Sequence, residues 1–248
     1  MSDQRSLAIE EAGDRVVVTL NRPDRRNAID QRMVDELHEV CDALERTPRI
    51  LILTGAEGVF ASGADIAELR ERTAADAQRG INDTIFSRIA ALPMPVIAAL
   101  DGYALGGGAE LAYAADLRIG TPRLRIGNPE TGLGIIAAAG ALWRLPQLVG
   151  LPLATELVLT GRILTGEEAL TAGLVSDLFE PRELLPAAHA LADRIAANDP
   201  LATQLTKRVL RAPLAEHPAA EREAQAQLFE SPEKRRRMTE FLERRRSR

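Results

Sequence analysis

Glu110 and Glu130 are the residues of this chain best placed to move a proton on a bound acyl group. Glu110 closes the run Gly102-Tyr-Ala-Leu-Gly-Gly-Gly-Ala-Glu110, and Glu130 closes Gly127-Asn-Pro-Glu130. Upstream, Phe60-Ala-Ser-Gly-Ala-Asp-Ile66 forms a small-residue turn after an apolar strand. Two carboxyl groups can serve as general acid and general base. Turns built of glycine and alanine let a ligand approach the backbone, because no bulky side chain holds it away. Two N–H groups aimed at one oxygen are the cheapest fixed stabiliser of an enolate. The residue types therefore point to an enzyme that forms and quenches an enolate.

Spacing strengthens the reading. Glu110 lies three residues beyond Gly107, so on a helix the two share a face one turn apart. A helix opening at Gly107 also presents unpaired N–H groups and the positive end of its dipole to an anion. Pro129 fixes the backbone before Glu130, which enters from a separate segment. Two acids held close together cannot both ionise easily, so the pair is expected to share a proton. Each glycine run alone is only a turn, and most glutamates are solvated. Glu110 departs from that pattern because its flanks, Gly-Gly-Gly-Ala and Leu-Ala-Tyr-Ala, are apolar or small. No Gly-Lys-Ser/Thr follows the glycines and no Gly-x-Gly-x-x-Gly occurs there, so neither a P-loop nor a dinucleotide fingerprint is present.

The elements that must position these groups follow from periodicity. Val16–Leu20, Ile50–Thr54 and Pro95–Leu100 read as buried strands. Met33, Leu37, Val40 and Leu44 recur at helical spacing behind Asp30, a predicted N-cap. Strand, helix and strand in that order make a βαβ unit. Asp65 reads as the N-cap of a helix over 66–72, and one helix is expected over 76–91. Helix 107–114 precedes short strands at Leu117–Ile119 and Leu124–Ile126. Beyond Leu151 helices dominate, at about 152–159, 184–197, 201–211, 216–230 and a last one through about Arg245. Composition shifts toward Ala, Glu and Arg near residue 185, dividing the chain into regions 1–185 and 186–248. These patterns give an α/β fold class and no more.

Composition excludes several alternatives. At 248 residues the chain can bury a sizeable core. A net charge of −5 argues against non-specific nucleic-acid binding. No apolar run approaches the ~20 residues of a membrane span, and Met1-Ser-Asp-Gln-Arg5 lacks the order of a signal peptide. The single Cys41 cannot form an internal disulfide, fits a cytoplasmic location, and reads as a core thiol beside Val40 and Leu44. His38, His189 and His217 are widely separated, so no metal is expected. Ser62 has no histidine nearby and no nucleophile elbow. Leu201, Leu205, Val209, Leu214, Leu228 and Phe229 would leave apolar surface on a lone subunit.

Ala61-Ser-Gly-Ala-Asp65 and Gly102–Glu110 resemble the two signature segments of the crotonase (enoyl-CoA hydratase/isomerase) superfamily. Leu20-Asn-Arg-Pro23 with Asn27-Ala-Ile29, and Leu159-Thr-Gly161 with Ala172-Gly-Leu-Val175, fit the same pattern, covering nearly the whole chain. The resemblance implies a spiral of repeated ββα units with a helical C-terminal trimerisation region. It implies an enoyl-CoA hydratase, with the N–H groups of Ala64 and Gly107 as oxyanion donors. Glu130 would then be the proton donor to the α-carbon and Glu110 the partner that activates water. It further implies an acyl-CoA thioester bound by Arg25, Ala28, Ser62, Ala64, Asp65 and Ile66, with Phe241 and Arg244 at the adenosine-phosphate end. No cofactor is expected beyond the coenzyme A of the substrate. A homotrimer, or a hexamer made of two trimers, is implied, without nucleic-acid or membrane partners. The competing expectations are a Δ3-Δ2 enoyl-CoA isomerase, which needs only one glutamate, and a non-catalytic CoA- or RNA-binding homologue. One departure stands out: Ala137-Ala-Ala-Gly-Ala141 replaces the Pro-Gly-Ala-Gly-Gly common in that family, in a loop expected to wall the acyl pocket.

Overall fold

The computed structural model describes residues 5–246, with side chains through Arg245. Met1–Gln4, read above for a leader, and the side chain of Arg246 lie outside the described residues. The chain divides into two compact units, one running to Ala192 and the other beginning at Asp193.

The first unit opens with β1 (Leu7–Glu11), β2 (Arg15–Leu20), α1 (Gln31–Arg46) and β3 (Ile50–Gly55). It continues through α2 (Ile66–Glu71), α3 (Ala74–Arg79), α4 (Ile81–Ala91), β4 (Val96–Leu100), β5 (Tyr103–Leu105) and α5 (Gly107–Ala114). Then come β6 (Leu117–Gly120), β7 (Arg125–Gly127), α6 (Ala141–Val149), α7 (Leu151–Thr160), β8 (Ile163–Thr165), α8 (Gly166–Thr171) and α9 (Pro181–Ala196). The composition boundary near residue 185 and the division after Ala192 both fall within α9.

Five strands form one sheet in the order β1-β2-β3-β4-β6. Only β1 runs antiparallel; β2, β3, β4 and β6 are parallel and almost wholly buried, which is why they read as continuous apolar runs. Three short strands form a second sheet, β5-β7-β8. Ala61 bridges Ala104 beside it, Ala104 faces Ile126, and Ile126 faces Leu164. Successive passes of the chain thus lay one strand in each sheet, with α5 joining β5 to β6. The arrangement is the α/β spiral that the resemblance implies, with helices toward the C-terminus.

Asp30 caps α1, accepting from the Met33 N–H at 2.8 Å. Met33, Leu37, Cys41 and Leu44 are buried beneath it, and burial pushes the Cys41 thiol up to about 12. Asp65 caps α2 through the Ala67 N–H at 3.0 Å. The single helix expected over 76–91 is instead two, α3 and α4, because Gly80 at φ +61° turns the chain between them. The loop expected over 137–141 ends at Gly140, and α6, to which no element was assigned from the sequence, begins at Ala141. Among the described residues no helix is long and apolar enough to cross a membrane.

The second unit contains α10 (Pro200–Leu210), α11 (Ala219–Phe229) and α12 (Pro232–Arg246), together with the last turn of α9. Asp199 caps α10 through the Ala202 N–H at 2.7 Å. Leu205 is buried here, so it does not contribute to exposed apolar surface as the sequence suggested. Leu210, Leu214 and Phe229 remain exposed.

Candidate active site

A cavity of about 480 Å3 opens in the first unit. Its wall includes the turn Ser62-Gly-Ala64, the start of α5 at Gly106–Gly107, and the side chains of Glu110 and Glu130. The sequence-derived candidates Ser62, Ala64, Ile66, Gly107, Glu110 and Glu130 therefore meet around one space.

The Ala64 turn is fixed from behind. The Ile29 N–H donates to Gly63 O at 2.8 Å and the Asp65 N–H donates to Ile29 O at 2.9 Å. A bridge of this kind uses alternate peptide groups, so the Ala64 N–H is left pointing the other way, without an acceptor among the described residues. Arg22 anchors the same turn through Asp65 at 3.3 Å and Asp30 at 3.2 Å. Asn27 is fully buried and its amide donates to Val59 O at 2.6 Å and Ala56 O at 3.1 Å. These supports were quoted in the sequence only as part of a resemblance; their role lies in long-range backbone contacts.

Across the cavity, Gly106 precedes α5 at φ +51° and ψ −125°, a conformation that favours glycine. A Cβ there would stand 3.2 Å from Glu130 Oε1, so the residue must be small for a second reason. The Gly107 N–H, first of the helix, also has no acceptor among the described residues. The position a Gly107 Cβ would occupy is 3.5 Å from Ala64 N, which brings the two free donors to neighbouring parts of the wall.

Glu110 is 3% exposed, yet its Oε1 accepts from the N–H groups of Ala139 at 2.7 Å and Ala141 at 3.1 Å. Its other oxygen takes no hydrogen bond among the described residues. Burial raises its pKa to about 7; the two N–H groups oppose the rise, and the neighbouring Glu130 charge adds to it. Glu130 sits on a short 3-10 turn, Glu130–Leu133, and burial raises its pKa too. Asn128 Nδ2 donates to its Oε1 at 3.2 Å, while Oε2 is shielded from solvent and has no partner. A shielded acceptor without a donor costs free energy.

Asn128 is itself held. The Tyr113 hydroxyl donates to its Oδ1 at 3.0 Å, deep in the core, where burial keeps the phenol protonated. Tyr113 lies three residues beyond Glu110 on α5, so one helix face carries the first carboxyl and steers the second. Arg144, buried on α6, donates to Ala139 O at 3.2 Å and to Ser87 Oγ at 3.2 Å, and its guanidinium stacks 4.0 Å from the Trp143 ring. The Ala137–Ala141 segment thus does more than wall the pocket. Ala138 lines it, Ala137 packs inward, and the Ala139 and Ala141 N–H groups hold Glu110. Tyr113, Asn128 and Arg144 were not singled out from the sequence, although Asn128 lies inside the Gly127–Glu130 segment.

Arg25, Ala28 and Asp65 are not among the residues that line the cavity. Arg25 is exposed beside Asp24, and the Ser62 hydroxyl donates to its carbonyl at 3.4 Å. Ala28 lies in the same loop, its carbonyl taken by Arg22. The Asp65 carboxylate is occupied by Arg22 and the α2 cap. Phe241 and Arg244 lie on α12 of the second unit, both exposed, with the Arg244 Nε donating to Glu240 O at 3.3 Å.

The pattern of the enoyl-CoA hydratase/isomerase family matches residues 11–248 of this chain. The short-chain-enoyl-CoA hydratase of Clostridium acetobutylicum is 38% identical, over 97% of this chain and 95% of its own. The crotonyl-CoA hydratase of Syntrophomonas wolfei is 34% identical, over 98% and 96% respectively. A crystal structure of enoyl-CoA hydratase from Bacillus anthracis superposes with a TM-score of 0.91 at 31% identity, covering 96% of both chains.

Proposed function

The chain belongs to the enoyl-CoA hydratase/isomerase family, and from that premise we propose that it is an enoyl-CoA hydratase converting 2-enoyl-CoA thioesters to 3-hydroxyacyl-CoA. The observation that carries the reading is the convergence of two free backbone donors, on Ala64 and Gly107, with two carboxyls whose pKa values burial raises, on one cavity.

In this reading the thioester oxygen accepts from the Ala64 and Gly107 N–H groups. Glu110 takes a proton from a water as its oxygen bonds to C3. The electrons of the C2–C3 double bond move onto the thioester, and the two donors hold the resulting enolate oxygen. Glu130 then delivers its proton to C2. The pair ends with its one proton on Glu110 rather than Glu130, and passing it back through a new water restores the starting state. Burial that raises both carboxyls suits this sharing, since it keeps a proton on the pair near neutral pH.

Phe241 and Arg244 are assigned to the adenosine-phosphate end of coenzyme A, within an assembly of trimers or paired trimers. The exposed Leu210, Leu214 and Phe229 of the second unit support an interface there. A cytoplasmic location accompanies the proposal.

The test is direct. Purified protein should consume crotonyl-CoA, seen as loss of the conjugated-thioester absorbance, and release 3-hydroxybutyryl-CoA. Efficient isomerisation of a 3-enoyl-CoA with no hydration of any 2-enoyl-CoA would replace this reading with the isomerase one.

A further inference from the structure

We propose that the acyl end of this cavity accepts a chain that terminates in a carboxylate, held by the guanidinium of Arg72. The inference rests on the hydratase reading above and adds a substrate class to it.

The argument begins with a ruler along the wall. Ile66, Leu69 and Arg72 recur every three residues and all line the cavity, so they lie along one side of α2 and its end. Ala64, the proposed thioester anchor, immediately precedes this row. Six helical residues at 1.5 Å each place Arg72 about 9 Å beyond Ile66 along the wall. An acyl chain lying along α2 passes Leu69 first and meets the cation next.

Arg72 is the one cation among the described residues that line the cavity. It is partly buried, and its guanidinium has neither a carboxylate partner nor a hydrogen bond among the described residues. Arginines that lose much of their solvent are ordinarily paired. The acids nearby are engaged elsewhere. Asp76 accepts from the Thr73 N–H and hydroxyl, both at 2.7 Å, and pairs with Arg79. Asp83 sits in the first turn of α4, where the helix dipole favours a negative charge, and accepts from the Thr84 hydroxyl at 3.4 Å. A planar guanidinium with unused donors, beyond Ile66 and Leu69 on the cavity wall, matches a carboxylate in both charge and shape. A methyl-ended chain would leave it without a partner.

Binding of two unreactive thioesters tests this separately from turnover. Hexanoyl-CoA and the six-carbon thioester ending in a carboxylate, hexanedioyl-CoA, share every contact made by coenzyme A. Titration calorimetry should find the carboxylated thioester bound about 10-fold more tightly, the scale of one charge-assisted contact. Arg72→Gln should erase that ratio and Arg72→Glu should invert it. Equal affinity of the wild type for the two thioesters overturns the proposal. So does an Arg72→Gln variant that weakens both alike, because Arg72 would then touch coenzyme A itself. Hydration of hex-2-enoyl-CoA is measured alongside: its absence removes the hydratase reading, while the binding ratio still decides whether the carboxylate subsite exists.

Discussion

Replacing Glu110 by glutamine should make the protein more stable at alkaline pH while abolishing most of its activity. Glutamine keeps an oxygen able to accept from the Ala139 and Ala141 N–H groups, so the substitution removes only the burden of a buried charge. Burial raises the Glu110 pKa from its ordinary 4.5 to about 7. Between those values the folded chain keeps a proton that the unfolded chain has released, so the carboxyl makes wild-type stability fall as pH rises. Below about 4.5 the group is neutral in both states and costs nothing. Above about 7 it is ionised in both, and the burden is fully present. A rise of roughly 2.5 pH units at 1.36 kcal/mol each corresponds to about 3 kcal/mol. Denaturant unfolding of wild type and Glu110→Gln, compared at pH 4.5 and pH 8.5, should therefore show a gap that widens in favour of the variant by up to about 3 kcal/mol. A gap that is the same at both pH values refutes the assignment of a buried, proton-holding carboxyl at this position.

Glu110→Gln and Glu130→Gln should each lower kcat by at least about 100-fold, with KM little changed. The double variant should lose far less than the product of the two, because groups sharing one water act as a unit; multiplying losses would show that they do not. Tyr113→Phe leaves the buried Asn128 Oδ1 without its donor, so thermal unfolding should report a loss of about 1–3 kcal/mol, and kcat should fall with KM unchanged as Glu130 loses its orientation. Arg244→Glu should raise KM for CoA substrates, more at low salt than at high, and leave a pantetheine thioester without those phosphates unaffected; an equal defect on both would assign Arg244 to folding or assembly.

What the sequence makes legible is what local geometry determines. Glu110 and Gly107 could be placed together because three residues on a helix are one turn, and Asp30 and Asp65 could be named as caps because a cap is a local bond. The contact of Tyr113 with Asn128 joins residues fifteen apart and depends on β5 and β7 pairing with Leu105 opposite Gly127. No periodicity announces that register, since each strand has three residues. Arg144 was hidden for a related reason. Its value lies in reaching Ala139 O and Ser87 from a helix to which the sequence reading assigned no element. The apolar strands of the larger sheet were plain because both their faces are covered, whereas β1, exposed along most of its length, carries Glu10 and Glu11 and hides its pairing.

Helix α5 carries the Gly107 N–H, the Glu110 carboxyl and the Tyr113 hydroxyl that governs Asn128 and, through it, Glu130. An anion donor, a base and the guide of an acid thus ride on eight residues of one buried rod. Any slide of that rod shifts all three by the same amount. Their mutual spacing is preserved, and only their distance from the opposite wall, the Ala64 turn, can change. A slide of α5 therefore changes one quantity first, the width of the slot between α5 and that turn. Substitutions in the packing beneath α5 should accordingly move every step of the reaction together, as a change in gap.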